Sequence, residues 1–338
     1  MRHITKLGLI AALWTAISAL PAFAQSPADF YKSHPVSLYI GYGAGGGYDL
    51  YSRILAKHIG RHLPGAPNVI PRNEPGAGSF KLANELFNVL PRDGSAIGMF
   101  SEALIISQIL GDPQAKFSSG EFNWIGRLID SDPVFVTAPN APVQSYKDLQ
   151  VKEVIVGVPG AGSATLLNLT VVKNLLGAKL KFVSGYDGSA QLRLAMERGE
   201  VQGSGSILWR VDRDWIRAGG YHPIYQASLD SAPDIPDAPV LSALARNDQE
   251  RKVLRFFSSY TTIGRSISAP PQVPADRIKV LRAAFDKTME DAAFLADAKK
   301  GNMDVAPLSG EKLEALIREV ASLDADTLAL AKRLTVEQ

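Results

Sequence analysis

The residues most able to do chemistry lie in four loops of this 338-residue chain, all rich in glycine and small side chains. The loops span 43–47, 75–78, 159–163 and 184–189. Each follows a short apolar run and precedes apolar residues at helical spacing, which predicts a strand, a loop and a helix in that order. Such a loop exposes the free N–H groups of a helix N-terminus, and glycine lets a ligand approach them closely. The four loops therefore indicate an anion site, for which a small carboxylate is the simplest ligand.

The elements that must position these loops alternate between strands and helices in both halves of the chain. The predicted strands are 36–42, 68–73, 96–100, 154–158 and 180–183. The predicted helices are one that begins near Asp49 and those over 80–90, 164–176, 190–198, 276–290, 291–300 and 309–334. Because strand, small-residue loop and helix recur twice in each half, the pattern predicts an α/β protein of two similar lobes.

The N-terminal segment has the pattern of a secretory signal peptide. Arg2 and Lys6 precede an apolar run over 7–20, and the small-x-small pattern of residues 22–24 predicts cleavage before Gln25. The run has 14 residues, which is short of the roughly 20 that a membrane-spanning helix needs. We therefore expect an exported protein, with a retained membrane anchor as the alternative.

Composition excludes several classes of site. The chain has no cysteine, so thiolate zinc sites, iron–sulfur clusters and a thiol nucleophile are excluded. The 36 basic and 34 acidic residues give a net charge of +2, and removal of residues 1–24 leaves 34 of each. A neutral chain lacks the basic field that nucleic acid requires, so that partner is not expected.

One glycine pattern competes with the anion site. Gly41, Gly43 and Gly46 match the G-x-G-x-x-G pattern of a dinucleotide-binding loop. The next acidic residue at a strand end is Glu74, 28 positions beyond Gly46, whereas such sites have an acidic residue about 20 positions on. Export also removes the protein from the nicotinamide pool, so we do not expect a dinucleotide.

Catalytic patterns are weak. His58 and His62 lie four residues apart on the first predicted helix, but Ile59 occupies the position where a metalloprotease has glutamate. A solvated or half-buried helix face explains these histidines better. No G-x-S-x-G pattern is present. Asp49 or Asp187 could act as a general base in an exported enzyme, which stays open as an alternative.

An ordered set of motifs extends over nearly the whole chain after residue 25. The motifs are residues 45–49 with Arg53, then 73–78, 91–94, 160–163, 185–190, 198–201, 233–239 and 269–274. In this order and spacing the set resembles the substrate-binding proteins of tripartite tricarboxylate transporters, also called the Bug family.

The resemblance implies an α/β, two-lobed periplasmic-binding-protein fold of type II, the Venus-flytrap class, with a hinge between the lobes. The first lobe would comprise residues 25–136 and 255–338, and the second 137–254. It further implies a monomer in the periplasm, with no cofactor and no metal, that closes on a small organic acid and presents it to integral-membrane transporter subunits. A sensor that delivers its closed form to a receptor kinase is a further alternative.

In that family, the loop after the first strand and the loops of the second lobe hold ligand carboxylates. The matching positions here are Gly45, Gly46, Asp49, Gly76, Ala77, Gly78, Gly160, Gly162, Ser163, Thr165, Gly185, Tyr186 and Gly188, with Ser101 as a further candidate.

Four larger side chains raise separate expectations. Tyr48 and Tyr186 lie beside glycines of these loops and could contact an aromatic ligand. Arg210 and Arg265 could neutralise a second ligand carboxylate, but we expect them to be surface charges.

Overall fold

The computed structural model of the chain describes residues 25–335. The predicted signal peptide and its cleavage site after residue 24 lie outside the described residues. Within 25–335, none of the helices is long and apolar enough to cross a membrane.

The described residues alternate between helices and strands. The helices are α1 Pro27–Ser33, α2 Gly47–Ile59, α3 Phe80–Asn88, α4 Ala103–Leu110, α5 Tyr146–Leu149, α6 Ala164–Leu176, α7 Ser189–Glu197, α8 Trp209–Gly219, α9 Asp248–Ile263, α10 Ala275–Met289, α11 Ala292–Lys300, α12 Gly310–Val320 and α13 Ala325–Leu334. The strands are β1 Val36–Ile40, β2 Val69–Asn73, β3 Ala96–Met99, β4 Asn123–Arg127, β5 Pro133–Thr137, β6 Val154–Val158, β7 Leu180–Ser184, β8 Gly203–Leu208, β9 His222–Gln226, β10 Ser266–Ala269 and β11 Leu308–Ser309.

The strands form two mixed sheets. The first has the order β11-β4-β10-β3-β1-β2 and the second the order β7-β6-β8-β5-β9. In the first sheet β1 is parallel to β2 and β3, whereas β10, which comes much later in the chain, lies antiparallel between β3 and β4. In the second sheet β6 is parallel to β7 and β8. The predicted α/β class with two sheets is confirmed, and the parallel pairs bring the predicted loops to the carboxyl ends of the strands.

The chain crosses between the sheets twice, and the two crossings lie side by side. It leaves the first sheet after Arg127 and enters the second at Pro133, then returns between the end of α9 and β10. The N–H of Leu128 donates to the carbonyl of Arg265 at 2.9 Å, and the N–H of Arg265 donates to the carbonyl of Ile129 at 2.8 Å. Two hydrogen-bonded crossings form a hinge-like connection.

The division of the chain into lobes at 136/137 and 254/255 stays a prediction. The first of these boundaries falls inside β5 and the second inside α9. The sheets place the first crossing at 128–132, a few residues before the predicted boundary, and the second at 264–265, about ten residues after it. The shift at α9 arises because Leu254 and Phe257 on this helix are fully buried in the core of the second sheet.

His58 and His62, for which a solvated or half-buried helix face was expected, each pair with an aspartate. His58 Nε2 lies 2.8 Å from Asp297 Oδ2, and His62 Nε2 lies 2.7 Å from Asp291 Oδ2. Asp291 caps the start of α11 and Asp297 lies within it, so the pairs join α11 to α2, which carries His58, and to the 3₁₀ helix Gly60–His62 that follows α2. His58 is buried rather than half-buried, because its aspartate partner satisfies it away from water.

Candidate ligand-binding cleft

A cavity lies between the loops of the two sheets. Its volume is about 50 Å³, and since about 10–15 Å³ suffices for one water molecule, it has room for a compact small molecule. Its wall comprises Tyr42, Gly46, Gly47, Tyr48, Glu102, Pro133, Pro159, Ala164, Thr165, Gly188, Ser189, Gly205, Ser206, Leu208, Val211, Asp212, Tyr260 and Arg265.

Two helix N-termini from opposite sheets meet at this cavity. Helix α2 begins after Gly46 and α7 after Gly188, and within residues 25–335 neither N-terminus is capped by a side chain. A methyl group placed on Gly46 would lie 3.0 Å from Ser189 Oγ, so the two helix ends approach closely. Free N–H groups and the positive ends of two helix dipoles therefore converge where an anion could bind.

A buried ion pair forms the hinge side of the cavity. Arg265 Nη1 donates to both carboxylate oxygens of Glu102, at 2.9 and 3.0 Å. Ser131 Oγ donates to Glu102 Oε1 at 2.6 Å, and the Tyr48 hydroxyl donates to Oε2. The guanidinium lies 3.7 Å from the centre of the Tyr48 ring, a cation–π contact. The side chains of Arg265 and Glu102 are 5% and 2% exposed, so this pair is desolvated.

The pair leaves the arginine with unused donor capacity. Arg265 Nε is buried and has no hydrogen-bond partner among the described residues. Burial alone would lower the pKa of Arg265, but the Glu102 carboxylate raises it, so the guanidinium stays charged. A buried, charged donor without a partner is costly unless a ligand supplies the acceptor.

The expectation that both candidate arginines are surface charges is wrong for Arg265. The expectation is closer to the structure for Arg210, whose side chain is 28% exposed. Arg210 forms ion pairs with Asp130 and Asp132 and does not line the cavity. Arg265 is buried because it lies on the second crossing, between the two sheets, where Glu102 compensates its charge.

Asp212 contributes the other charged group of the wall. It lies in the first turn of α8, where Oδ2 accepts the Leu208 N–H at 3.1 Å and Oδ1 accepts Arg193 Nη1. Burial raises the pKa of Asp212, although the neighbouring Arg193 opposes that shift. Asp212 thus faces the cavity from the second sheet, whereas Arg265 and Glu102 face it from the hinge side.

Only some of the predicted site residues line this cavity. Gly46, Thr165 and Gly188 do so, and the Thr165 hydroxyl bonds Ser206 of the same wall. The predicted residues outside the wall are Gly45, Asp49, Gly76, Ala77, Gly78, Ser101, Gly160, Gly162, Ser163, Gly185 and Tyr186. Among them, Asp49 holds the loop before α2, and Ala77, Gly78, Gly162 and Ser163 bring loops of the two sheets into contact.

Asp49 positions a loop rather than facing the cavity. Its carboxylate accepts the Gly45 N–H at 2.9 Å, Arg53 Nε at 2.8 Å and Asn73 Nδ2 at 2.8 Å. Burial alone would raise the pKa of Asp49, but these three hydrogen bonds lower it. The carboxylate is therefore ionised and engaged in holding the loop before α2.

We expect Asp49→Ala to weaken ligand binding about tenfold, which corresponds to about 1.4 kcal/mol. The variant frees the Gly45 N–H and lets the loop before α2 move away from the cavity. Calorimetric titration with a bound acid measures the effect. Asp49→Asn keeps an acceptor for Gly45 and serves as the matched control with a smaller loss. Equal affinity of Asp49→Ala and the unaltered protein would contradict this positioning role.

The glycine loops of the two sheets also bond each other directly. The Gly162 N–H donates to the carbonyl of Ala77 at 3.1 Å, and the Gly43 N–H donates to the carbonyl of Asp187 at 2.8 Å. A methyl group on Gly78 would lie only 2.3 Å from the Ser163 backbone nitrogen. The loops of both sheets are therefore in contact around the cavity, which is a closed arrangement.

Of the two tyrosines expected near an aromatic ligand, one lines the cavity and the other does not. Tyr48 lines the cavity, and its ring stacks on Tyr42 with centroids 4.2 Å apart. Tyr186 lies outside the wall and packs toward Gly157. An aromatic ligand could therefore contact Tyr48 but not Tyr186 in this arrangement.

Sequence reasoning missed Glu102 and Asp212. Glu102 is the only charged residue in 94–111, and Arg265 is the only one in 256–275. An isolated charge within an uncharged segment is expected to be paired when buried, and here the two isolated charges have opposite signs. That signal could have identified the pair before the structure.

Two curated proteins are similar in sequence. The UPF0065 protein in gbd 5'region of Cupriavidus necator is 28% identical over 211 residues, 59% of this chain and 62% of that protein. This match spans less than two thirds of that relative. A UPF0065 protein of Bordetella pertussis is 24% identical over 286 residues, 82% of this chain and 84% of that protein. No family model matches the chain.

Solved structures share the fold. The periplasmic binding protein BugD superposes with a TM-score of 0.70 at 20% identity, covering 90% of this chain and 99% of BugD. MatC of Rhodopseudomonas palustris with bound malate gives a TM-score of 0.70 at 14% identity, over 90% and 99% of the chains. A second R. palustris protein, with adipate, gives 0.65 at 16% identity, over 89% and 98%. The chain thus has a periplasmic-binding-protein fold, and its resemblance to the Bug proteins is confirmed.

Proposed function

We propose that this protein is a periplasmic receptor that captures a small organic carboxylate in the cleft and delivers it, chemically unchanged, to a tripartite-type membrane transporter. The observation that carries this proposal is the convergence of the unpartnered Arg265 Nε with the uncapped N-termini of α2 and α7. Such a set of donors recognises a carboxylate. The bound malate and adipate of two proteins with this fold agree with that class of ligand.

The proposed ligand would also hold the two lobes together. It would accept from Arg265 and α2 on one side and from α7 on the other, so it binds the closed form better than the open one. A transporter could then distinguish loaded from empty receptor by the closed shape.

The test is a thermal-shift screen of residues 25–338 against small organic acids, with the matching uncharged alcohols as controls. An acid at 100 times its dissociation constant stabilises the fold by about 2.7 kcal/mol, which raises the melting temperature by several degrees. We expect one class of acids to do so, and mass spectrometry to recover the acid unchanged. Equal shifts with the alcohols would contradict carboxylate recognition, and conversion of the acid would favour an enzyme.

A further inference from the structure

The charged groups of the cleft differ in how much hydrogen-bonding capacity they leave for a ligand. Glu102 accepts four hydrogen bonds, two from Arg265, one from Ser131 and one from Tyr48. An ionised carboxylate offers about four acceptor positions. Glu102 is therefore saturated, while Arg265 keeps an unpaired Nε–H.

Asp212 is in the opposite situation. Each of its oxygens accepts one hydrogen bond, from Leu208 or from Arg193, so about two acceptor positions remain. Arg193, the ion-pair partner of Asp212, does not belong to the cavity wall. The cleft consequently presents one spare cationic donor at the hinge and one spare anionic acceptor on α8.

The two helix N-termini at the cavity, like Arg265, attract a negatively charged group of the ligand. The N-termini of α2 and α7 both favour negative charge. Asp212 is the one cavity-wall group, among the described residues, that combines negative charge with free acceptor positions. A ligand with a carboxylate at each end would bring its second carboxylate toward Asp212, which is electrostatically unfavourable.

We infer that the ligand carries one carboxylate, held by Arg265, and at its other end an ammonium group held by Asp212. This inference rests on the proposed function and narrows its ligand class from organic acids in general to amino acids without a second acidic group.

The test compares two series of equal chain length by calorimetric titration of residues 25–338. β-Alanine, 4-aminobutyrate and 5-aminovalerate are paired with malonate, succinate and glutarate. We expect the best-fitting amino acid to bind at least about tenfold more tightly than its dicarboxylate partner. Asp212→Asn removes the charge and should bring that ratio to within about threefold.

Asp132→Asn is the matched control. The carboxylate of Asp132, like that of Asp212, is largely buried and accepts one backbone N–H and one arginine side-chain N–H. Both of these donors belong to Arg210, and Asp132 lies outside the cavity wall. The Asp132→Asn variant should therefore leave the ratio of the two affinities unchanged.

The outcomes separate the two proposals. Binding by neither series, while another acid of the thermal-shift screen still binds, would contradict the inference alone; binding by no acid in either experiment would contradict the proposed function as well. A dicarboxylate that binds as tightly as its amino-acid partner, or a ratio that Asp212→Asn does not change, would contradict the inference alone. If Asp212→Asn does not fold, the ratio measured on the unaltered protein decides.

Discussion

Glu102→Ala is expected to lower the free energy of unfolding by about 3–5 kcal/mol, the usual cost of removing one partner of a buried ion pair. The Arg265 guanidinium would stay charged and buried without its carboxylate partner: Nη1 would keep only the Ser131 hydroxyl, at 3.4 Å, and Nε would have no acceptor among the described residues. Denaturant unfolding of the ligand-free protein, residues 25–338, measures this change.

Two controls show whether the unpaired charge causes the loss. The double variant Glu102→Leu/Arg265→Met removes both charges, and we expect it to regain most of the stability, because apolar replacement of a buried pair is often neutral. Asp130→Ala breaks a pair whose aspartate is 43% exposed and should cost less than about 1 kcal/mol. A loss below 1 kcal/mol for Glu102→Ala would mean that water reaches the pair.

Gly78→Ala should weaken ligand binding by about 100-fold or more without unfolding the protein. The added Cβ would lie 2.3 Å from the Ser163 nitrogen and 2.7 Å from Gly162, so the two loops could no longer meet. Exclusion of the closed form leaves only the weakly binding open form. Calorimetric titration with the best acid measures the loss.

Gly177→Ala is the matched control for backbone strain. Gly78 and Gly177 both have left-handed backbones, with φ of 62° and 71°, so alanine costs about 1–2 kcal/mol of stability at either. A methyl group on Gly177 meets nothing within 4 Å. We expect Gly177→Ala to have a melting temperature similar to that of Gly78→Ala, but to bind the acid as tightly as the unaltered protein. Equal affinities of the two variants would contradict a closure role for Gly78.

Local pattern predicted the elements best where apolar runs lie between glycine loops. The predicted strand 154–158 and helix 164–176 coincide with β6 and α6. The predicted helix 309–334 is instead two helices, because Asp324 accepts the Thr327 N–H and begins α13. Strand β8 was not predicted, since its glycines and serines lack the apolar alternation of a strand.

The sequence predicted the backbone loops of the site but not the charged side chains that pair within it. The glycine loops are local features, and the structure brings three predicted residues to the cavity wall: Gly46 and Gly188 in these loops, and Thr165 in the first turn of α6. Glu102 and Arg265 lie 163 positions apart in the sequence. Their pairing depends on β10 lying beside β3 in the first sheet, and spacing along the chain does not reveal that long-range contact.

The most direct test of the central claim is a crystal structure of residues 25–338 with the tightest-binding acid. We predict one carboxylate within about 3 Å of Arg265 and of N–H groups at the starts of α2 and α7. The loops around Gly78 and Gly162 should be in contact, as they are here. An acid bound elsewhere, or bound in this cleft without contact to Arg265 or either helix end, would contradict the account.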